Sequence, residues 1–317
     1  MLRRSFIKGA AACGVGLSLP MQAGAVQVLG GNAFGSYWRV VLGGDASAAQ
    51  VSQRVEAIVA SVDASMSPYR AETEISLLNA ADTTDWLPLS DGMRAVLQAA
   101  LRASAQTGGA FDPTVGAIVG RYGFGPITGA RVGDASGLEL RDGALRKGDR
   151  RMTLDLCGIA KGWALDRIVT ELSALGLTDF LVELGGEVAA RGQHPDGRVW
   201  RVAVDDPTGA TTLALQLDGR AVATSGDAPQ GYSIGAQKYG HIINPTSGAA
   251  ATGDLASVSV IASEATRADA LATALFAMGS EQAGALAQGL GLDVLMLLHD
   301  GGGIRVQSFG QADQWVL

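Results

Sequence analysis

Residues 256–278 read ASVSVIASEATRADALATALFAM, and the change of pattern inside this run decides the fold class. The first seven residues are small or β-branched, a buried strand. From about residue 264 the apolar positions recur at helical spacing. A second helix over about 281–289 and a last hydrophobic strand over 293–298 follow. Working back along the chain, residues 159–175 carry Ala164, Leu165, Ile168, Leu172 and Leu175 at helical spacing. Strand-like pieces lie at 179–184, 187–191, 199–204, 211–217 and 220–224. Helices are predicted over 47–65, from Val51, Val55, Ile58, Val59 and Val62, and over 90–106, led by Ser90 as a cap and ended by Gly108-Gly109. A first strand is expected over 34–42, a short helical turn over 74–79, and a turn-rich stretch over 129–153. Strands mixed with segregated helices, without a regular βαβ rhythm, indicate an α+β fold. No clean linker divides the chain, so a single large, two-lobed domain is expected over 26–317.

Composition narrows the function classes. The 317 residues include 44 glycines, and charged residues make up 17%, which favours tight turns over disorder. The formal charge is -7, and beyond the extreme N-terminus there is no Lys/Arg-rich run. Nucleic acid is therefore not an expected partner. The three histidines, His194, His241 and His299, make no zinc motif, and any metal is expected to be a hard cation on oxygen ligands.

The N-terminus, MLRRSFIKGAAACGVGLSLPMQAGA, has the three-part pattern of an export signal. Arg3, Arg4 and Lys8 supply the basic region, Gly9–Leu19 the apolar stretch, and Ala23-Gly24-Ala25 the small-residue end. The apolar stretch is short for a membrane span. Arg3-Arg4-Ser5-Phe6-Ile7-Lys8 resembles the twin-arginine signal. A signal peptide over 1–25, a periplasmic location and no stable membrane insertion are the expectations. Of the two cysteines, Cys13 and Cys157, only Cys157 would then remain.

Several segments can carry chemistry. Asp269 and Thr273 are four apart and share a helix face. Their carboxylate and hydroxyl can offer two oxygens to Mg²⁺, although a dipole-favoured acid followed by an ordinary threonine fits the same spacing. In DLCGIAKGWALD, residues 155–166, Gly158 and Gly162 permit close backbone approach at a helix start and Lys161 adds a point charge. That combination can hold a diphosphate, and it can equally be a tight strand–helix junction. Neither a Walker loop nor GxGxxG is present. Met66-Ser67-Pro68-Tyr69-Arg70 sets a thioether and an aromatic ring beside a rigid turn, suited to clamping a planar ring or to core packing. Glu183-Leu-Gly-Gly-Glu187 and Ala223-Thr-Ser-Gly-Asp227 place polar groups at strand ends. His241 stands alone before Asn244-Pro245, and composition by itself gives it a structural role.

Taken in order, MSPYRAETEISLLN (66–79), GGAFDPTVG (108–116), YGFG (122–125), DLCGIAKGWALD (155–166), ELGGE (183–187), ATSGD (223–227), HIINPTSG (241–248) and ADALATALFAMG (268–279) resemble the bacterial FAD:protein FMN transferases, historically called thiamine-biosynthesis lipoproteins. The resemblance runs from Phe34 to at least Leu298. It implies a central FAD cleft, FAD as substrate and Mg²⁺ as cofactor. It makes Asp269 and Thr273 metal ligands together with backbone near Ala160. Tyr69, with Met66 beside it, is implied to pack on the flavin; Glu74 to line the nucleotide side; Lys161 to neighbour the diphosphate; Glu187 and Thr224 to line the cleft. His241 is implied to help activate the acceptor hydroxyl, making His241 and Asp269 the catalytic pair. The implied partner is an electron-transfer flavoprotein with a Ser/Thr-containing acceptor segment, such as a flavoprotein of nitrous-oxide respiration or a membrane quinone oxidoreductase subunit.

The chain departs from the family pattern at four places. Asn244 stands where an Asp is common, Glu72-Thr73-Glu74 replaces DSE, Cys157 replaces a common glycine, and no aromatic follows Asp227. An FAD hydrolase, a flavin-binding protein and an assembly partner with a degenerate site are the alternatives at this level.

Overall fold

The computed structural model describes residues 26–44, 46–130, 132–205, 212–226, 231–234 and 237–317. The expected export signal and Asp227 lie outside the described residues. The largest element is an eight-stranded sheet of β1 (Val26–Ala33), β2 (Ser36–Gly43), β3 (Phe180–Leu184), β4 (Glu187–Arg191), β5 (Ala221–Gly226), β6 (Leu255–Ala262), β7 (Asp293–Asp300) and β8 (Gly303–Phe309). Its strands lie side by side in chain order, and every pairing is antiparallel. Antiparallel neighbours need no crossover helix. That is why the sequence shows no βαβ rhythm, and the α+β expectation holds.

Helices leave the sheet as excursions between neighbouring strands. Between β2 and β3 come α1 (Ala48–Met66), α2 (Glu74–Ala80), α3 (Asp91–Gln106), α4 (Gly116–Arg121) and α5 (Ala160–Ala174). Between β6 and β7 come α6 (Ala265–Met278) and α7 (Ser280–Leu290). Ser47, Thr73 and Ser90 cap α1, α2 and α3, each accepting a backbone N–H three residues on. The buried face of α1 is Val51, Val55, Ile58, Val59, Val62 and Met66. Each fully buried aliphatic side chain there contributes about 1.5–3 kcal/mol.

β6 is buried at all eight positions because both faces of the sheet are covered. Val258, Val260 and Ala262 pack with Leu271, Leu275 and Phe276 of α6. On the other face Ile261 and Leu295 pack with Trp200, Leu215 and Leu217. These last belong to a hairpin of Trp200–Asp205 and Thr212–Leu217. The catalytic candidates therefore gather on the helical face, and the hairpin closes the reverse.

Among the elements not foreseen are β1, β8 and α4. β1 carries two glycines, and its burial alternates between exposed and half-buried, so its hydrophobic signal is weak. β8 is a largely exposed edge strand with Arg305, Gln307 and Ser308. α4 is only six residues long, with two glycines. The expected strand at 34–42 begins two residues late because Phe34 (φ 50°) and Gly35 (φ 74°) form the turn between β1 and β2. Two successive residues with positive φ give a turn whose twist matches that of the strands. Among the described residues no helix is long and apolar enough to cross a membrane.

Candidate active site

The site begins where α5 crosses α6. A Cβ on Gly162 would lie 2.4 Å from the Ala265 carbonyl oxygen and 2.8 Å from Asp269 Cβ, so only glycine lets the helices approach this closely. At that contact the Gly162 N–H donates to Asp269 Oδ2 at 2.9 Å. Gly158 repeats the device: a Cβ there would meet Thr273 Oγ1 at 3.1 Å. Its carbonyl oxygen lies 3.5 Å from that hydroxyl, and Ser225 Oγ lies 3.5 Å away on the other side.

Charge accumulates in this wall. Lys161, in the first turn of α5, pairs with Glu187 at the start of β4. Asp269 and Glu187 are buried, at 4% and 2% exposure. Burial pushes the Glu187 carboxyl up to about 7, with the Asp269 charge adding to the rise and Lys161 opposing it. Burial also raises Asp269, against the opposing pull of Lys161 and the Gly162 N–H. Burial works against the Lys161 charge, but Glu187 and Asp269 outweigh it and hold its pKa above the ordinary value. The surrounding walls, helped by Asp155, push the Cys157 thiol well up. Ionisation of the Cys157 thiol, which lines the cleft, is thereby disfavoured.

Asp269, Thr273 and the Gly158 carbonyl form an all-oxygen donor set around one buried carboxylate. That set fits a hard cation such as Mg²⁺, which keeps water and phosphate oxygens among its ligands. Among the described residues no group of three or more His, Cys, Asp or Glu side chains could hold a metal alone, so hydroxyl and carbonyl oxygens are needed to complete such a site.

Loops form the facing wall. Tyr69 is 66% exposed, and its hydroxyl donates to the Phe124 carbonyl at 3.1 Å. The Phe124 ring stands edge-on to His241, with ring centroids 6.4 Å apart. The Phe124 loop rests on α4, where a Cβ on Gly120 would fall 1.8 Å from the Ile127 oxygen. The two walls bound a cleft of about 250 Å³ that brings together Tyr69, Lys161, Glu187, Thr224, His241, Asp269 and Thr273. A separate cavity of about 280 Å³ beside Phe276 and His299 contains none of them.

Two predicted residues, Met66 and Glu74, fall elsewhere. Met66 is buried in the core at the end of α1. Glu74 does not line the cleft: its carboxylate accepts from the Ser90 N–H (2.8 Å), the Ser90 hydroxyl (2.6 Å) and the Ser65 hydroxyl (3.0 Å). It ties α1, α2 and the start of α3 together. Ala160 opens α5 between the cleft-lining Gly158 and Lys161, its N–H bonded to the Leu156 oxygen, and the carbonyl of neighbouring Gly158 lies 3.5 Å from the Thr273 hydroxyl. Phe111, Asp112, Phe124 and Cys157 line the cleft without having been assigned roles. Two departures from the family pattern also find their structural partners. Thr73 caps α2, and Asn244 donates to the Ala277 oxygen at 2.9 Å while accepting from the Ser247 N–H at 3.0 Å. An ionised Asp could not make the first of these bonds.

The antiparallel sheet thus carries a cleft lined by a lysine, a carboxylate–hydroxyl pair and an exposed aromatic ring, groups able to meet a phosphate-bearing ligand with a planar ring. Comparison with known proteins narrows this class. Residues 34–296 match the family model described as the ApbE family. The chain is 31% identical to the FAD:protein FMN transferase of Klebsiella pneumoniae, with 89% of this chain and 87% of that protein covered, and 30% identical to that of Escherichia coli, with 87% and 85% covered. The flavinyl transferase ApbE of Pseudomonas stutzeri, in its apo form, superposes with a TM-score of 0.84 at 32% identity over 92% of this chain and 97% of that one. The flavin transferase ApbE of Vibrio cholerae gives the same TM-score at 27% identity, covering 92% and 99%. The chain belongs to the ApbE family.

Proposed function

We infer that this protein is an FAD:protein FMN transferase: it moves the FMN half of FAD onto a hydroxyl of a client protein and releases AMP. The observation that carries this reading is the convergence, in a member of this family, of Lys161, Asp269 and Thr273 on one wall with Tyr69 and His241 on the other.

Tyr69 offers its ring to the isoalloxazine, and Lys161 offers its ammonium to the diphosphate. The oxygens of Asp269 and Thr273, with backbone of the 158–160 segment, would hold Mg²⁺, whose bound charge offsets that of the diphosphate. His241 takes the proton from a Ser or Thr hydroxyl of the client. The hydroxyl oxygen forms a bond to the phosphorus of the FMN half, the bridging P–O bond breaks, and the electron pair leaves with AMP. The product is a phosphoester-linked flavoprotein. A client from an electron-transfer chain, such as nitrous-oxide respiration or a membrane quinone oxidoreductase, suits this reading, as does a periplasmic enzyme exported through the twin-arginine signal at 1–25.

The deciding experiment incubates the enzyme with FAD, Mg²⁺ and a candidate acceptor, and reads the acceptor's intact mass alongside AMP. A gain of one FMN moiety that disappears with EDTA supports the reading. AMP without acceptor modification, across a panel of electron-transfer flavoproteins, would instead identify a hydrolase. Replacing Arg3 and Arg4 with Lys should leave the protein in the cytoplasmic fraction; unchanged export would defeat the signal assignment.

A further inference from the structure

The first turn of α6 is capped by a different helix. Glu264 occupies the position before α6, but its side chain makes no capping bond. The cap comes from Asp166 on α5, 99 residues away from Ala265 in sequence. Asp166 Oδ1 accepts from the Ala265 N–H at 2.8 Å. Its Oδ2 accepts from the Thr266 N–H at 2.8 Å and from the Thr266 hydroxyl at 2.5 Å. A carboxylate at this place satisfies donors that have no intrahelical partner and faces the positive end of the helix dipole.

One turn away lies the second contact between the same helices, from the Gly162 N–H to Asp269 Oδ2. Gly162 and Asp166 are four apart on α5, and Ala265 and Asp269 are four apart on α6, so both contacts lie on facing stripes. A helix sliding or rotating on its neighbour would break both together. We propose that Asp166 is a positioning residue: by fixing the first turn of α6 on α5, it holds the Asp269 carboxylate at the Gly162 N–H, in the register that presents it to Thr273, Lys161 and the cleft. Its consequence for metal affinity rests on the reading of Asp269 as a Mg²⁺ ligand.

The geometry separates this role from simple stability. Without Asp166 the 265–268 turn has no side-chain cap among the bonds described, and the next residue in the helix is Asp269 itself. Fraying of that turn therefore shows first in the placement of the carboxylate. Asn at 166 keeps an acceptor oxygen for one of the backbone donors and is expected to recover part of the effect.

The test uses full-length mature enzyme with Asp166→Ala, Asp166→Asn and, as a milder change that leaves both backbone donors in place, Thr266→Val. Three readouts are taken: Mn²⁺ binding by electron paramagnetic resonance with FAD present, exchange of the Gly162 amide by NMR, and thermal melting. For Asp166→Ala, Mn²⁺ affinity is expected to fall about tenfold, the usual scale for losing a group that orients a metal ligand, and the Gly162 amide to exchange about tenfold faster. Asp166→Asn and Thr266→Val should lie between this and the wild type. A lower melting temperature with unchanged Mn²⁺ affinity and Gly162 exchange would overturn the proposal. Wild-type enzyme that binds no Mn²⁺ would sink the metal reading instead, and Gly162 exchange would still decide the positioning role. If Asp166→Ala does not fold, Thr266→Val carries the same comparison.

Discussion

The Lys161 ammonium pairs with one oxygen of Glu187, and the other, Glu187 Oε2, is buried and meets no donor among the described residues. The cation proposed to meet the diphosphate is thus held, without a ligand, by an acid poised to take up a proton.

The pH dependence follows in sign. With Glu187 raised to about 7 by burial, its ionised form competes for Lys161 above that pH and its neutral form releases Lys161 below it. FAD affinity is expected to weaken as pH rises through about 7, by at most about tenfold per pH unit, the limit for one linked proton. Native stability should decline over the interval from 4.5 to about 7, because the folded state holds a proton that the unfolded chain gives up. Glu187→Gln should flatten both profiles. Flavin-fluorescence titrations across this range are the check, and an unchanged slope in the variant would remove Glu187 from the account.

Asp269→Asn keeps an acceptor for the Gly162 N–H while discarding the negative charge. Transfer is expected to fall by at least about 100-fold, with melting little changed, and EDTA should inactivate the wild type to a similar degree. Transfer that stays Mg²⁺-dependent in the variant would refute the ligand assignment.

His241→Ala addresses the opposite wall. A lost general base costs about 10²–10⁴ in turnover. FAD binding should change little, since Lys161 and Tyr69 remain. Steady-state kinetics on the acceptor, with FAD affinity measured separately, distinguishes this from a collapse of the cleft.

Gly162→Ala tests the helix crossing. The added methyl would lie 2.4 Å from the Ala265 oxygen, and such overpacking costs about 1–3 kcal/mol. Activity should fall further than stability does, because the displaced helix carries Asp269 and Thr273. Denaturant unfolding compared with transfer rate gives the split.

Lys147 lies away from the cleft. It is 1% exposed, and its ammonium donates to the carbonyls of Leu78 (3.1 Å), Ala81 (2.6 Å) and Arg150 (3.1 Å). Lys147→Met would leave three acceptors without this donor, at a cost of about 3 kcal/mol. Melting should drop by several degrees with kcat unchanged; an unaltered melting temperature would mean that water replaces the lysine.

What the sequence made legible depended on the kind of signal. Long amphipathic helices showed themselves because Val51, Val55 and Val62, or Leu165, Ile168 and Leu172, must share a buried face. The edge strands did not, since β1 and β8 bury too little to impose alternation. At the site, Asp269 and Thr273 were readable from their spacing on one helix. Their relation to Lys161 required the α5–α6 crossing, to which only the glycines of 158–162 pointed. The place of Glu74 was not legible, because a carboxylate beside a binding motif looks the same in sequence whether it faces a ligand or braces Ser90. The serine cap at Ser90 was read, but not the acid that holds it. Phe124 was visible only within YGFG, with nothing local to say that its carbonyl receives Tyr69.

The absence of a side chain at Gly162 has a mechanical meaning. α5 and α6 are in backbone contact there, bolted by Asp269 on one side and Asp166 on the other, so the wall holding Lys161, Asp269 and Thr273 has no slack to give. Any widening needed to admit a dinucleotide and a protein hydroxyl, or to discharge AMP, is therefore expected at the opposite wall, which is built from the loops that carry Tyr69, Phe124 and His241. On that reading the cleft is an anvil with one adjustable jaw, and the acceptor hydroxyl is expected to enter from the jaw side.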